Sequence, residues 1–154
     1  MAETHALTLT RQIAAPIRRV WEAWTDPNHL RRWFFPDHCP LVESEFDVRE
    51  GGKYRCVMRG ESGKDHTMVG EFKTVDPKGT LVFTHEWVGE NMPHTGHVTR
   101  VTVTLAERHG GTFVTMRQEG LLSEDVRDSH ADGWGMFLDH LVAFAPKMKE
   151  MAGA

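Results

Sequence analysis

The chain has only 2 cysteines, and neither their number nor their spacing suits a disulfide framework or a zinc site. Cys39 falls in a polar loop and Cys56 in a predicted strand. No apolar run is long enough to span a bilayer, and Met1-Ala2-Glu3-Thr4-His5 lacks the charged and apolar regions of a secretory signal. A cytoplasmic protein with no membrane partner is therefore expected. There is no basic surplus either. At a net charge of -4 the chain lacks the cationic face that phosphate backbones require, which argues against nucleic acid as a partner. No Ser-His-Asp order, paired-carboxylate pattern or dinucleotide fingerprint is present. Gly51-Gly52 lacks the Walker lysine spacing and joins two predicted strands, so it reads as a turn. His94-Thr95-Gly96-His97 offers two imidazoles with no third ligand nearby in sequence. Neither a metal nor a cofactor is expected.

What the chain does have is tryptophan, and three of its 5 lie in the opening third, at Trp21, Trp24 and Trp33. Pro16 suits a helix start, because its missing N–H would have no intrahelical partner there. Val20, Trp21 and Trp24 then recur at helical spacing. Thr25 or Asp26 can cap a second helix with Pro27 at its first position, and that helix carries Leu30 and Trp33. Phe34, Phe35 and Pro36 follow Trp33 with no helical face able to bury them all.

A length of 154 residues suits one domain with a sizeable core, taken as 1–154 with the core at about 7–150. Leu7, Leu9, Arg11 and Ile13 alternate with Thr8, Thr10 and Gln12, which fits an amphipathic first strand. Further strands are predicted over 43–48, 53–59, 66–75, 80–88, 98–107 and 112–119. They are separated by turn signals at Gly51-Gly52, Asp76-Pro77-Lys78-Gly79, Asn91-Met92-Pro93 and His109-Gly110-Gly111. Strands at this density with short turns predict an antiparallel sheet of consecutive hairpins. A long helix opens near Ser123-Glu124-Asp125 and carries His130, Trp134, Phe137, Leu138, Leu141, Ala145 and Met148 on one face. Gly133 and Gly135 weaken that helix, which points to close packing or to space beside Trp134. Pro146 kinks or ends it.

The ordered set Ala15-Pro16, Val20-Trp21, Ala23-Trp24-Thr25-Asp26-Pro27, Leu30, Trp33 and Pro36 resembles the start of the activator-of-heat-shock-protein-90-ATPase-homologue family. That family belongs to the START-like (SRPBCC, birch-pollen-allergen-like) superfamily. The resemblance continues through Asp47-Val48-Arg49-Glu50-Gly51-Gly52-Lys53-Tyr54, Leu81-Val82-Phe83-Thr84, Val101-Thr102-Val103-Thr104-Leu105 and Gly133-Trp134. It implies an α+β helix-grip fold: a curved antiparallel sheet wrapped around a long C-terminal helix, with two short helices after the first strand.

Such a sheet and helix can enclose a cavity. Tyr54, Met58, Met68, Phe83, Trp87, Met116, Trp134 and Phe137 are the adaptable or aromatic residues able to line it, joined by Trp33 and Phe35 from the opening third. The polar candidates are His66, His85, Gln118 and His130. Strand alternation puts His85 on one face with Leu81, Phe83 and Trp87, making it the foremost inward imidazole, whereas His140 lies off the apolar helix face and is expected to be exposed. The plainer alternative for each residue is core filling. The expected function is binding of an apolar or aromatic small molecule in this cavity. The alternatives are a cyclase/aromatase-like enzyme using His85, Tyr54 and Gln118, and a chaperone-interacting module. A chaperone contact has the least support, since nothing here corresponds to the separate N-terminal domain of the eukaryotic co-chaperones. A homodimer is compatible with the sequence.

Overall fold

The computed structural model describes residues 4–89 and 95–148. Strand β1 (His5–Ile13) is followed by helices α1 (Ile17–Thr25) and α2 (Pro27–Trp33). Strands β2 (Leu41–Phe46), β3 (Lys53–Arg59), β4 (Asp65–Asp76), β5 (Thr80–Val88), β6 (Thr99–Arg108) and β7 (Gly111–Leu121) come next, and helix α3 (Glu124–Phe144) closes the order. The strands form one seven-stranded sheet in the order β1-β7-β6-β5-β4-β3-β2, antiparallel at every pairing. Consecutive hairpins explain that order from β2 to β7. β1 then pairs with β7, leaving β1 and β2 as the two edges.

Local chemistry accounts for the helix boundaries. The Asp26 carboxylate accepts from the Asn28 N–H at 2.8 Å, and Pro27 follows at the first helical position, so one donor is satisfied and another is absent. Ser123 caps α3 by accepting from the Val126 N–H at 3.1 Å, with Glu124 and Asp125 in the positive first turn. At the other end α3 stops at Phe144, and a 3₁₀ turn over Ala145–Lys147 absorbs Pro146. At the β2–β3 turn Gly51 adopts a φ of 84°, and a Cβ on Gly52 would meet the Asp47 carbonyl oxygen at 2.0 Å. Both glycines are demanded by backbone geometry and cradle no phosphate.

The core lies between the sheet's inner face and α3. Trp24, Trp33 and Phe34 are buried, with Trp24 edge-on to Trp33 at 4.6 Å between centroids. Phe34 leaves the helix with a ψ of 66° and so reaches Phe137 at 4.9 Å and Trp134 at 5.8 Å. That break in the helix lets Trp33 and Phe34 both be buried. The strand and helix boundaries differ from the expected ones by at most a few residues. The expected turn around Asn91-Met92-Pro93, and with it His94, lies outside the described residues. One sequence expectation fails: His140 is half-buried, its ring tilted over Phe35 at 5.1 Å and its Nε2 paired with the Asp37 carboxylate. The loop after α2 folds back over α3 and covers it, which a helix wheel alone does not reveal.

Candidate functional site

The β5–β6–β7 register places polar side chains at one end of an otherwise apolar inner face. His85 pairs with Thr99 across β5 and β6, and Gln118 stands two positions along on the neighbouring β7. His85, Thr99 and Gln118 are buried, and among the described residues the only other buried polar side chain is Thr112. His130 and Trp134, four residues apart on α3, come down over this row. Buried polar groups need partners, and here they find one another.

The hydrogen bonds fix the protonation pattern. The Trp87 indole N–H donates to His130 Nε2 at 3.1 Å, and an indole can only donate, so that nitrogen bears a lone pair. His130 is therefore neutral and donates from Nδ1 to Gln118 Oε1 at 2.9 Å. The Trp134 indole N–H donates to the same oxygen at 2.8 Å, which sets the orientation of the amide independently. The Gln118 amide N–H donates to Thr99 Oγ1 at 2.8 Å, and the Thr99 hydroxyl donates to the His85 carbonyl oxygen at 3.2 Å. The chain of bonds runs from β5 through α3, β7 and β6 and back to β5.

The His85 ring stands at the centre of this frame. Trp87, His130 and Trp134 surround it edge-on at centroid distances of 4.9, 5.4 and 5.6 Å. Only 2% of the residue is exposed. Burial first, and the neighbouring His130 second, lower its pKa from 6.5 to about 3, opposed by a bond to its own backbone. The ring is thus neutral at physiological pH.

Two hollows meet at this histidine. One, of about 260 Å³, is bounded by Met58, His66 and Met68 from the sheet, by Gly133, Trp134 and Phe137 from α3, and by Pro36 and Cys39 from the loop after α2. The other, of about 250 Å³, lies toward the start of α3 and is bounded by His97, Thr99, Leu121, Leu122, Asp125 and Val126. His85, Trp87, Ser129 and His130 belong to both and form the waist between them. A Cβ on Gly133 would have nothing within 4 Å, so the missing side chain leaves space, the second of the two roles expected for it. Gly135 instead lies beside Arg11.

The structure divides the sequence candidates into three sets. Met58, His66, Met68, His85, Trp87, His130, Trp134 and Phe137 line the hollows. Gln118 stands behind them, fully buried, as the hub of the hydrogen bonds. Trp33, Phe35, Tyr54, Phe83 and Met116 lie elsewhere. The Trp33 indole donates to the Ala23 carbonyl oxygen at 2.9 Å, and Phe35 covers His140. The Tyr54 hydroxyl donates to the Thr84 carbonyl oxygen at 2.7 Å and so is committed to the backbone. Phe83 and Tyr54 border a void of about 10 Å³ beside Trp24, Tyr54 also edges a separate hollow with Lys53, Arg55 and Glu86, and Met116 is fully buried. Phe83 still faces Trp134 as expected, at 6.5 Å between centroids. Sequence reasoning did not single out Pro36, Cys39, Ser129, Thr99, Leu121, Leu122, Asp125 or Val126 for this site. Asp125 precedes Ser129, and Ser129 precedes Gly133, by four residues each, a spacing that puts all three on one helix face and could have flagged the first two. His97, for which the sequence offered no third metal ligand, bonds the Gly120 carbonyl oxygen at 2.7 Å and edges the second hollow.

Among the described residues no helix is long and apolar enough to cross a membrane. No functionally curated protein matches the chain in sequence. Solved structures do. A protein from Chromobacterium violaceum superposes with a TM-score of 0.79 at 27% identity, over 91% of this chain and 96% of that one. CalU16 from Micromonospora echinospora gives 0.68 at 29%, over 93% and 77%. The AHSA1 protein from Silicibacter pomeroyi gives 0.81 at 21%, over 90% and 96%, a likeness of fold. The family profile described as "Activator of Hsp90 ATPase homolog 1-like protein" matches residues 14–145. With that match running from just before α1 to the end of α3 on a helix-grip framework, the chain belongs to the Activator of Hsp90 ATPase homolog 1-like family.

Proposed function

We propose that the protein binds an apolar or aromatic small molecule in the two-lobed groove between the inner sheet face and the N-terminal half of α3. The observation that carries this reading is the groove itself. Its apolar walls converge on a small set of polar groups whose hydrogen bonds are already arranged, the usual make-up of a small-molecule site. Met58 and Met68 supply flexible, polarizable contacts on the sheet side, while Trp134 and Phe137 supply flat ones on the helix side. Gly133 supports the reading further, because a residue chosen only for helix stability would be alanine, worth about 1 kcal/mol. The polar frame holds Trp87, His130 and Trp134 in fixed orientations before any ligand arrives, which reduces the ordering cost of binding.

Native mass spectrometry of freshly purified protein, followed by solvent extraction, tests the reading directly. A bound small apolar compound is the expected result. A neutral fluorescent probe, N-phenyl-1-naphthylamine, should bind the folded protein with a blue-shifted emission. Failure of the folded protein to bind this probe or any extracted compound would remove the proposal. The family description names chaperone activation, and capture of Hsp90 by this chain in place of small-molecule binding would favour that role.

A further inference from the structure

The reading above leaves the chemistry of the ligand open, and the arrangement around His85 narrows it. Among the aromatic and amide side chains that converge on the waist, every one except His85 is committed, and the Ser129 hydroxyl, which can donate or accept, stands beside it. His130 uses both ring nitrogens, Gln118 uses its oxygen twice and its amide once, and the indoles of Trp87 and Trp134 each donate inward to the frame. Among the described residues the His85 ring has no hydrogen bond to another side chain, although it borders both hollows. Its one bond is to its own backbone. A neutral imidazole that donates from one nitrogen presents a lone pair on the other. An apolar ligand would bury that lone pair unsatisfied, at a cost a ligand donor would remove.

The second restriction is charge. No lysine or arginine borders either hollow among the described residues, and the one ionisable carboxylate there is Asp125. A carboxylate or phosphate entering the groove would lose its hydration with no cation to replace it. It would also face the His85 lone pair. The site therefore rejects anions and rewards a neutral donor.

We infer that the physiological ligand is an uncharged aromatic or polycyclic compound bearing a hydroxyl or N–H donor, such as a phenol, with that donor directed at His85 and the ring body between Met58, Met68, Trp134 and Phe137. This inference rests on the groove being the binding site and adds the chemical class of what it takes. The waist position matters: a donor at His85 leaves room for apolar substituents in the hollow toward Leu121 and Val126.

Four probes of one shape test it, with the full chain at pH 7 and quenching of tryptophan fluorescence as readout: naphthalene, 2-naphthol, 2-methoxynaphthalene and 2-naphthoate. 2-Naphthol should bind about fivefold to tenfold more tightly than naphthalene, the size of one net hydrogen bond. 2-Methoxynaphthalene keeps the oxygen but has no donor hydrogen, so it should gain nothing over naphthalene, and 2-naphthoate should bind more weakly than either. In His85→Leu the advantage of 2-naphthol should vanish while naphthalene binding survives. Equal affinity for 2-naphthol and 2-methoxynaphthalene, or tighter binding of 2-naphthoate, overturns the donor rule while leaving the groove reading intact, and does so in the unmodified protein even if the leucine variant fails to fold. Failure of all four probes to bind overturns the groove reading and this inference with it.

Discussion

At the scale of single residues the protein's chemistry turns on keeping one imidazole uncharged. His85 has its pKa lowered to about 3 by burial and by the nearby His130, so between about pH 6.5 and pH 3 the unfolded chain takes up a proton that the folded chain refuses. More protons on the unfolded state means stability that is fully present above pH 6.5 and is lost as the pH falls. The groups facing His85 are His130 on α3, His97 and Asp125 in one hollow, and His66 and Cys39 in the other. Urea unfolding at pH 7 and pH 5 should therefore show a clear loss of stability in the natural protein and a smaller loss in His85→Gln. An unchanged pH slope in the variant would mean that the folded state accepts a proton at His85 without strain. Cys39 provides a second residue-scale test. Burial raises its thiol pKa, yet it borders the hollow beside Met58 and Phe137, while Cys56 is fully buried with its thiol pushed far higher. A thiol reagent should label one cysteine slowly at neutral pH, and N-phenyl-1-naphthylamine should slow it further. Labelling at an unperturbed rate with the probe bound would place Cys39 outside the occupied space.

At the scale of elements, α3 is the variable wall. Its C-terminal half, with Leu138 and Leu141 at 0% exposure, is sealed onto the core, whereas its N-terminal half meets the sheet through His130, Trp134 and the gap at Gly133. Substituting Gly133→Leu should fill the hollow beside Met58 and Phe137 without touching backbone. We expect the melting temperature to stay level or rise, since a helical glycine is replaced by a better helix former, while probe affinity falls tenfold or more. A drop in stability with probe binding retained would show that the hollow is closed in solution. The sheet offers the opposite case at Gly70, where a Cβ would sit 1.9 Å from the Thr84 carbonyl oxygen and 2.4 Å from the Tyr54 ring. Gly70→Ala should destabilise by several kcal/mol through displacement of the β5 backbone, read as a shifted denaturant midpoint.

For the molecule as a whole, the question is where packing is complete and where it is not. Met58 and Met116 are both buried methionines on the sheet's inner face, at 2% and 0% exposure, but only Met58 borders a hollow. Met58→Trp should fold with little change in stability and lose probe binding. Met116→Trp has no space to enter and should cost about 1 to 3 kcal/mol while leaving the groove formed. The contrast separates a molecule with one deliberate defect in its core from one that is loosely packed throughout, for which both variants would behave alike.

The amino-acid sequence by itself determined the framework. Alternation at Leu7, Leu9 and Ile13, the caps at Asp26 and Ser123 and the turn at Gly51-Gly52 are local features, set within a few residues by backbone sterics and short hydrogen bonds. The inward face of β5 was equally legible, since period 2 carries Leu81, Phe83, His85 and Trp87 to one side. Which inward residues stop at the core and which border space was decided only by tertiary structure. Tyr54 and Met58 share one strand face, yet the Tyr54 hydroxyl is taken by Thr84 on a strand two places away while Met58 opens onto the groove. The fate of His140 was likewise set by a loop more than a hundred residues distant in sequence, through Asp37 and Phe35. The same holds for the neutral tautomer of His130. It follows from an indole on β5 and an amide on β7 meeting one ring on α3, and no spacing along the chain encodes an arrangement that exists only when three elements converge.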